Sequence, residues 1–218
     1  MRYWAECGNF IREFRRQFRS TGAVLPSSRF LARALVSELR RKRPAARILE
    51  VGPGTGSVTR EIIRYLQAGD HVDLVEINPC FVAYLQKRFE KDWAFHFNRE
   101  QFRIVNAPVE EFPGERCYDY IISGLPLNNF PVVSVRKIFK AYDRLLKPGG
   151  TLTYYEYVLV RQLKTPFCSR RERRRLFRVG RLVRNYIRSF QIRKEPILIN
   201  VPPAIVRHFR LKEIATQA

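Results

Sequence analysis

The stretch ILEVGPGTGSVTREI, residues 48–62, constrains this chain more than any other. A short apolar run ends at Glu50 and Val51, glycines follow at 52, 54 and 56, and apolar residues then recur at helical spacing. Strand, glycine turn and helix in that order form the first crossover of an α/β sheet. Ligands of such sheets lie beyond the carboxyl ends of the strands, where this loop falls. Gly52 and Gly54 allow a tight turn and close approach of a ligand, while Gly56 lets the helix start against the strand. A dinucleotide fingerprint would need its third glycine at 57, where the chain has Ser57. Glu50 narrows the ligand further. A carboxylate beside bared backbone repels a pyrophosphate and suits a ligand that carries a cation.

The rest of the chain repeats the alternation. Strands are expected at 48–51, 72–76, 102–105, 118–123 and 151–158, and helices at 29–41, 56–67, 79–90 and 132–146. The segments PILINV and AIVRHFRL close the pattern as a strand pair around Pro202-Pro203. Alternation of this kind implies a parallel sheet with helices on both faces. Two more helices are expected outside it. Over residues 3–19, Tyr3, Trp4, Cys7, Phe10, Ile11, Phe14 and Phe18 fall within roughly 120° of arc, with Arg12, Arg15, Arg16 and Arg19 on the far side or its border. That is the make-up of a helix lying in a membrane interface, and equally of a lid packed on its own domain. A basic helix over 170–190 carries Arg170, Arg171 and Arg174.

Charge separates these parts. The net charge is +21, and it is uneven. Residues 1–43 hold eleven Lys/Arg against three acids, and residues 160–194 hold thirteen against one. Residues 44–159 hold fourteen of each. A neutral body between cationic flanks implies a polyanionic partner, either nucleic acid or an anionic bilayer. A docking segment over 1–43 is therefore expected before a catalytic body over 44–218. The four cysteines form no C-x-x-C pair, which argues against zinc and suggests a reducing compartment. The charged opening is unlike a secretory leader, and no window reaches the roughly 20 apolar residues of a membrane span.

A second acid, Glu76, ends the second strand in LVEIN. Acids at the ends of strands one and two with G-x-G-x-G between them resemble the S-adenosylmethionine site of class I methyltransferases. The resemblance implies a Rossmann-like fold with a mostly parallel seven-stranded sheet. It also implies that Glu50 holds the methionine portion, that Glu76 holds the ribose and that Ile77 packs on adenine. Gly52, Pro53, Gly54, Thr55, Gly56 and Asn78 complete that side. The segment NAPVEEF places Ala107, Pro108 and Val109 beside adenine, although the family usually has Asp where Asn106 stands.

The segment SGLPLNNFP, residues 123–131, resembles the acceptor motif N-L-P-Y/F of N-methyltransferases. Ser123, Gly124 and Leu125 would border the cofactor, and Asn128 or Asn129 would align an amine. Together with TGAVLPSS upstream and basic helices at both ends, the motif resembles bacterial phospholipid N-methyltransferases. That implies methylation of phosphatidylethanolamine towards phosphatidylcholine at the inner face of the plasma membrane; a monomer is the expected state, though no residue of the sequence fixes it. Trp4, Phe10, Phe14, Phe18, Arg15, Arg16, Arg170, Arg171 and Arg174 would meet the anionic phospholipid. RNA adenine methyltransferases are the competing relatives; they carry an Asn where Ser123-Gly124 stands and a helical RNA-binding domain. A membrane protein that binds the cofactor without catalysis is the third reading. The acceptor amine must lose a proton, and Tyr155 and Glu156 are the leading candidates to receive it, ahead of Tyr154, Tyr157 and His208.

Overall fold

The computed structural model describes residues 28–127, 130–157, 190–200 and 202–210. The expected helices over 3–19 and 170–190 therefore lie outside the described residues, as do Asn128 and Asn129. Within them, the expected alternation forms. Helix α1 (Arg29–Leu35) precedes β1 (Arg47–Val51), α2 (Ser57–Ile63), β2 (His71–Glu76), α3 (Pro79–Lys91), α4 (Trp93–Phe97) and β3 (Phe102–Asn106). Then follow β4 (Tyr118–Ser123), α5 (Val132–Leu145), β5 (Leu146–Tyr157), β6 (Gln191–Ile197) and β7 (Ala204–Arg210). The strands make one seven-stranded sheet in the order β3-β2-β1-β4-β5-β7-β6. Strands β1 to β5 run parallel, and β7 runs antiparallel to both β5 and β6.

Period-two alternation sends side chains to two separate cores. Ile48, Leu74, Ile122 and Tyr155 face α1 to α4, whereas Leu49, Val75, Ile121 and Tyr154 face α5. Helix α1 belongs to the first core: Leu31, Ala32, Ala34 and Leu35 are buried, as are Val36 and Leu39 after it. The boundary expected at residue 43 thus does not separate two bodies, because residues 28–43 close the same core as β1.

Three local expectations change. The helix expected over 29–41 stops at Leu35 and tightens into a 3-10 turn over Ser37–Arg40. The short helix α4 was not legible in the sequence, since five residues are too few to display a period. The closing strand spans Gln191–Ile197 and not PILINV, and its alternating exposure matches its pairing with β7. The cause lies in Asn200, whose buried amide donates from Nδ2 to the Pro202 carbonyl at 2.6 Å and turns the chain four residues before the expected strand end at 201. Cys117 is a free thiol.

Candidate cofactor and acceptor site

Strand order reverses between β1 and β4, and the loops after those strands open a crevice at the carboxyl edge. Backbone bonds draw the loops together. The Gly124 amide donates to the Val51 carbonyl at 2.8 Å, and the Gly52 amide donates to the Val75 carbonyl at 2.9 Å. A Cβ on Gly124 would sit 2.7 Å from the Gly52 carbonyl oxygen, and one on Gly52 would sit 2.5 Å from Leu125 Cδ2. Gly124 meets backbone and admits no side chain without parting the loops, whereas at Gly52 the obstacle is the movable Leu125 side chain together with a φ of 69°. Gly124→Ala is accordingly expected to weaken cofactor affinity about tenfold or more, the equivalent of the roughly 1–3 kcal/mol that overpacking a close contact costs. Calorimetric titration measures it, with circular dichroism to show the fold retained; an unchanged affinity would mean the loops can part without disturbing the site.

Gly52, Gly54 and Gly56 all adopt the left-handed region, with φ of 69°, 55° and 78°. At Gly54 a Cβ would meet nothing within 4 Å, so open space adjoins its backbone, as a closely approaching ligand requires. Gly56 plays a different part from the one expected. Its Cβ direction faces Leu85, Arg88 and Phe95, so it seats α3 and α4 on the glycine loop and does not pack on the strand. Arg88 fixes that seat. Its guanidinium donates to the Thr55 carbonyl at 2.9 Å, pairs with Asp92 at 2.7 Å and stacks on Phe95 at 3.9 Å.

Glu50 is fully buried at the end of β1, and neither of its carboxylate oxygens has a hydrogen-bond partner. Burial pushes its pKa up to about 8; the nearby Thr59 hydroxyl and amide oppose the shift, and the Glu76 charge adds to it. Buried polar atoms are normally bonded, so an orphaned carboxylate facing a glycine loop points to a cationic ligand. Glu76 accepts the Gly54 amide at 3.0 Å and the Asn78 amide at 2.9 Å, tying the loop to the start of α3. Burial raises its pKa against those amides. Each oxygen keeps a lone pair for a ribose hydroxyl. Beside it Ile77 is 66% exposed, an uncovered aliphatic side chain where adenine would pack.

Other expected site residues act behind this surface. Asn78 caps α3, its Oδ1 accepting the Cys80 amide at 2.9 Å. Asn106 donates from Nδ2 to the carbonyls of Glu76 and Ile77, at 2.8 and 3.1 Å, and so holds the Ile77 turn. Val109 is buried in the α5-side core, whereas Ala107 and Pro108 before it stay half-buried. Pro53 accepts the Gly56 amide through its carbonyl and closes the glycine turn. Ser123 receives the Tyr142 hydroxyl at 2.8 Å, which stiffens the acceptor loop from below.

The expected proton acceptors do not converge. Tyr155 reaches the acceptor loop, its hydroxyl 3.5 Å from the Gly124 carbonyl, but burial lifts its pKa well above the ordinary tyrosine value and keeps the phenol protonated. Glu156, its neighbour on the strand, points to the other face and is held by the Arg207 guanidinium, 2.7 Å from Nε. His208 is buried between Thr153 and Arg193, and burial lowers its pKa to about 4. Arginine can only donate, so His208 Nε2 accepts from Arg193 and Nδ1 donates to Thr153. Sequence reasoning missed Arg88 and Tyr142. Both stand on amphipathic helices with no local pattern to separate them from ordinary packing residues.

This sheet, with an acid closing each of its first two strands around a glycine loop, is the architecture of class I methyltransferases. Residues 48–150, a little under half of the chain, match the family described as "Methyltransferase domain", which supports methyl transfer from S-adenosylmethionine as the chemistry of that region. Two curated relatives extend the comparison. An ornithine lipid N-methyltransferase of Singulisphaera acidiphila is 28% identical over 148 residues, covering 65% of this chain and 73% of that protein. A highly reducing polyketide synthase of Pyricularia oryzae is 33% identical over 140 residues, which cover 62% of this chain but 5% of the synthase. Among solved structures, a SAM-dependent methyltransferase from Aquifex aeolicus shares the fold at a TM-score of 0.57 and 13% identity, over 83% of this chain and 89% of that one.

The donor set fits this cofactor. S-adenosylmethionine, when bound, supplies an electrophilic methyl group on a sulfonium. The Glu50 carboxylate would neutralise the cationic methionine end, Glu76 would accept from the ribose, and Ile77 would cover the adenine.

Proposed function

We propose that this protein transfers methyl groups from S-adenosylmethionine to the amine of a phospholipid head group, carrying phosphatidylethanolamine towards phosphatidylcholine. The observation that carries the reading is the similarity to a methyltransferase whose named acceptor is a lipid amine, spread over 73% of that relative. Charge supports it. A body of zero net charge between flanks with eleven and thirteen Lys/Arg is built to sit on an anionic leaflet, where each docked cation gains about 1 kcal/mol. The attachment proposed is peripheral, through these cationic flanks; among the described residues no helix is long and apolar enough to cross a membrane. The chain would act there as a monomer, on the inner leaflet of the plasma membrane.

Chemically, the acceptor loop would hold the amine against the cofactor through carbonyls of residues 124–126, which accept from N–H and leave the nitrogen lone pair directed at the methyl carbon. Of the five candidates for proton acceptor, Tyr154, Tyr155 and Tyr157 are phenols whose pKa burial raises, Glu156 is ion-paired and His208 is hydrogen-bonded. The amine proton would therefore leave to water before attack, and orientation would supply most of the rate. The test is radiolabelled S-adenosylmethionine given with vesicles of phosphatidylglycerol and phosphatidylethanolamine, and separately with RNA. Label is expected in the lipid; label confined to RNA would overturn the reading.

A further inference from the structure

The turn between β6 and β7 has its polarity inverted. Leu198 and Ile199 are 74% and 72% exposed, whereas Asn200 beside them is 2% exposed. Asn200 is not misplaced. Its amide N–H donates to the Ile197 carbonyl at 3.4 Å and its side chain to the Pro202 carbonyl, so the polar residue is the internal brace of the turn. Ile197 and Ala204, paired across the base of the hairpin, are buried in the core and anchor it. The outcome is a braced tip that holds two large aliphatic side chains outward, a costly display in water unless something apolar receives them.

Topology places the tip. Strand β7 is antiparallel to β5, with Tyr157 opposite Ala204, so the end of β6 and the start of β7 lie at the carboxyl edge of the parallel strands. That edge also carries the glycine loop and the acceptor loop. Strand β5 ends at this edge with Tyr157, three residues before the cationic segment 160–194 with its thirteen Lys/Arg against one acid, and Lys194, three residues before Ile197 at the tip, is exposed. Aliphatic side chains at an edge from which dense positive charge sets out along the chain match an anionic bilayer: cations for the phosphates, the tip for the acyl boundary.

We infer that Leu198 and Ile199 form a bilayer-inserting tip that seats the carboxyl edge of the sheet on the membrane from which the acceptor lipid enters. This rests on the lipid-amine reading for the identity of the acceptor, but not for the docking itself. The experiment compares the full chain with L198D/I199D, both substituted at side chains that are mostly in solvent. Substrates are phosphatidylethanolamine in phosphatidylglycerol vesicles and a short-chain phosphatidylethanolamine kept as monomers in solution. The variant is expected to bind S-adenosylmethionine and to turn over the monomeric lipid as the parent does, while co-sedimentation with vesicles and turnover on them fall at least tenfold. Leu198→Trp gives a second readout, since its indole should be quenched by brominated acyl chains beyond the quenching of the parent.

Wild-type sedimentation and vesicle turnover in L198D/I199D, or an L198W indole that brominated lipid leaves unquenched, would overturn the inference. So would equal losses on both substrates, which would assign the tip to the site and not to the bilayer. The underlying reading fails separately. If the parent labels no lipid yet the variant still falls off vesicles, the acceptor assignment is wrong and the tip stands.

Discussion

Glu50→Gln should weaken S-adenosylmethionine binding by roughly 30-fold or more and, in the same protein, make the ligand-free fold more stable at pH 8. Both effects come from one fact: the carboxylate is fully buried with neither oxygen bonded. Removing one member of a buried charge pair costs about 2–5 kcal/mol of binding, and the low end of that range is the 30-fold stated. The stability effect has the opposite sign. Glu50 titrates near 8 in the folded protein against an ordinary 4.5, so between those values the folded state holds a proton that the unfolded state has lost. Stability therefore falls as pH rises through that window, at about 1.4 kcal/mol per unit. Glutamine cannot ionise, and the variant escapes this loss. Thermal unfolding of parent and variant at pH 5 and pH 8 should show curves that agree at the lower pH and separate at the higher, with the variant above. Cofactor affinity of the parent should also climb about tenfold between pH 6.5 and 7.5 as the carboxylate becomes free to ionise, while the variant stays flat. A pH-independent parent would mean that the cationic end of the cofactor lies away from Glu50.

The sequence disclosed the cofactor half of this site because its demands are local. Three glycines, an acid before them and another acid on the next strand fall within 27 residues, and each stands at a strand end that hydrophobic runs make visible. Contacts between distant segments were not legible. That Gly124 must be bare follows from the Gly52 carbonyl 2.7 Å away, a meeting of residues 72 positions apart. The pairing of Glu156 with Arg207 joins β5 to a strand 51 residues later, and it withdraws a residue that alternation alone had offered as a base. Asn200 misled for a related reason. In PILINV it reads as a polar residue in a strand, and only the chain reversal shows its amide turned inward. Sequence period reports which face a residue occupies, not which partner it meets there.

At the opposite edge of the sheet, far from any ligand, Arg43→Leu is expected to destabilise the protein by about 3–5 kcal/mol and to leave cofactor affinity unchanged in the protein that remains folded. Arg43 precedes β1 and Asp70 precedes β2, and both side chains are buried. The guanidinium donates to both Asp70 oxygens, at 2.8 and 2.6 Å, while the amides of Ala46 and Gln67 donate to the same carboxylate at 2.8 and 2.9 Å. Burial works to raise the Asp70 pKa, but the guanidinium and the two amides prevail and hold it below the ordinary value. A carboxylate with a depressed folded pKa contributes stability that is present at neutral pH and lost as the solution is acidified through that pKa. Urea unfolding at pH 7 should thus show the full deficit of R43L, and the deficit should shrink towards pH 4 as Asp70 in the variant takes up a proton. Adding Asp70→Leu should recover part of the loss at neutral pH, because an apolar pair replaces an uncompensated charge. If R43L matched the parent, or if the double variant were no better than the single, the bidentate pair would be an incidental contact, and the first two strands would be held in register by the sheet alone.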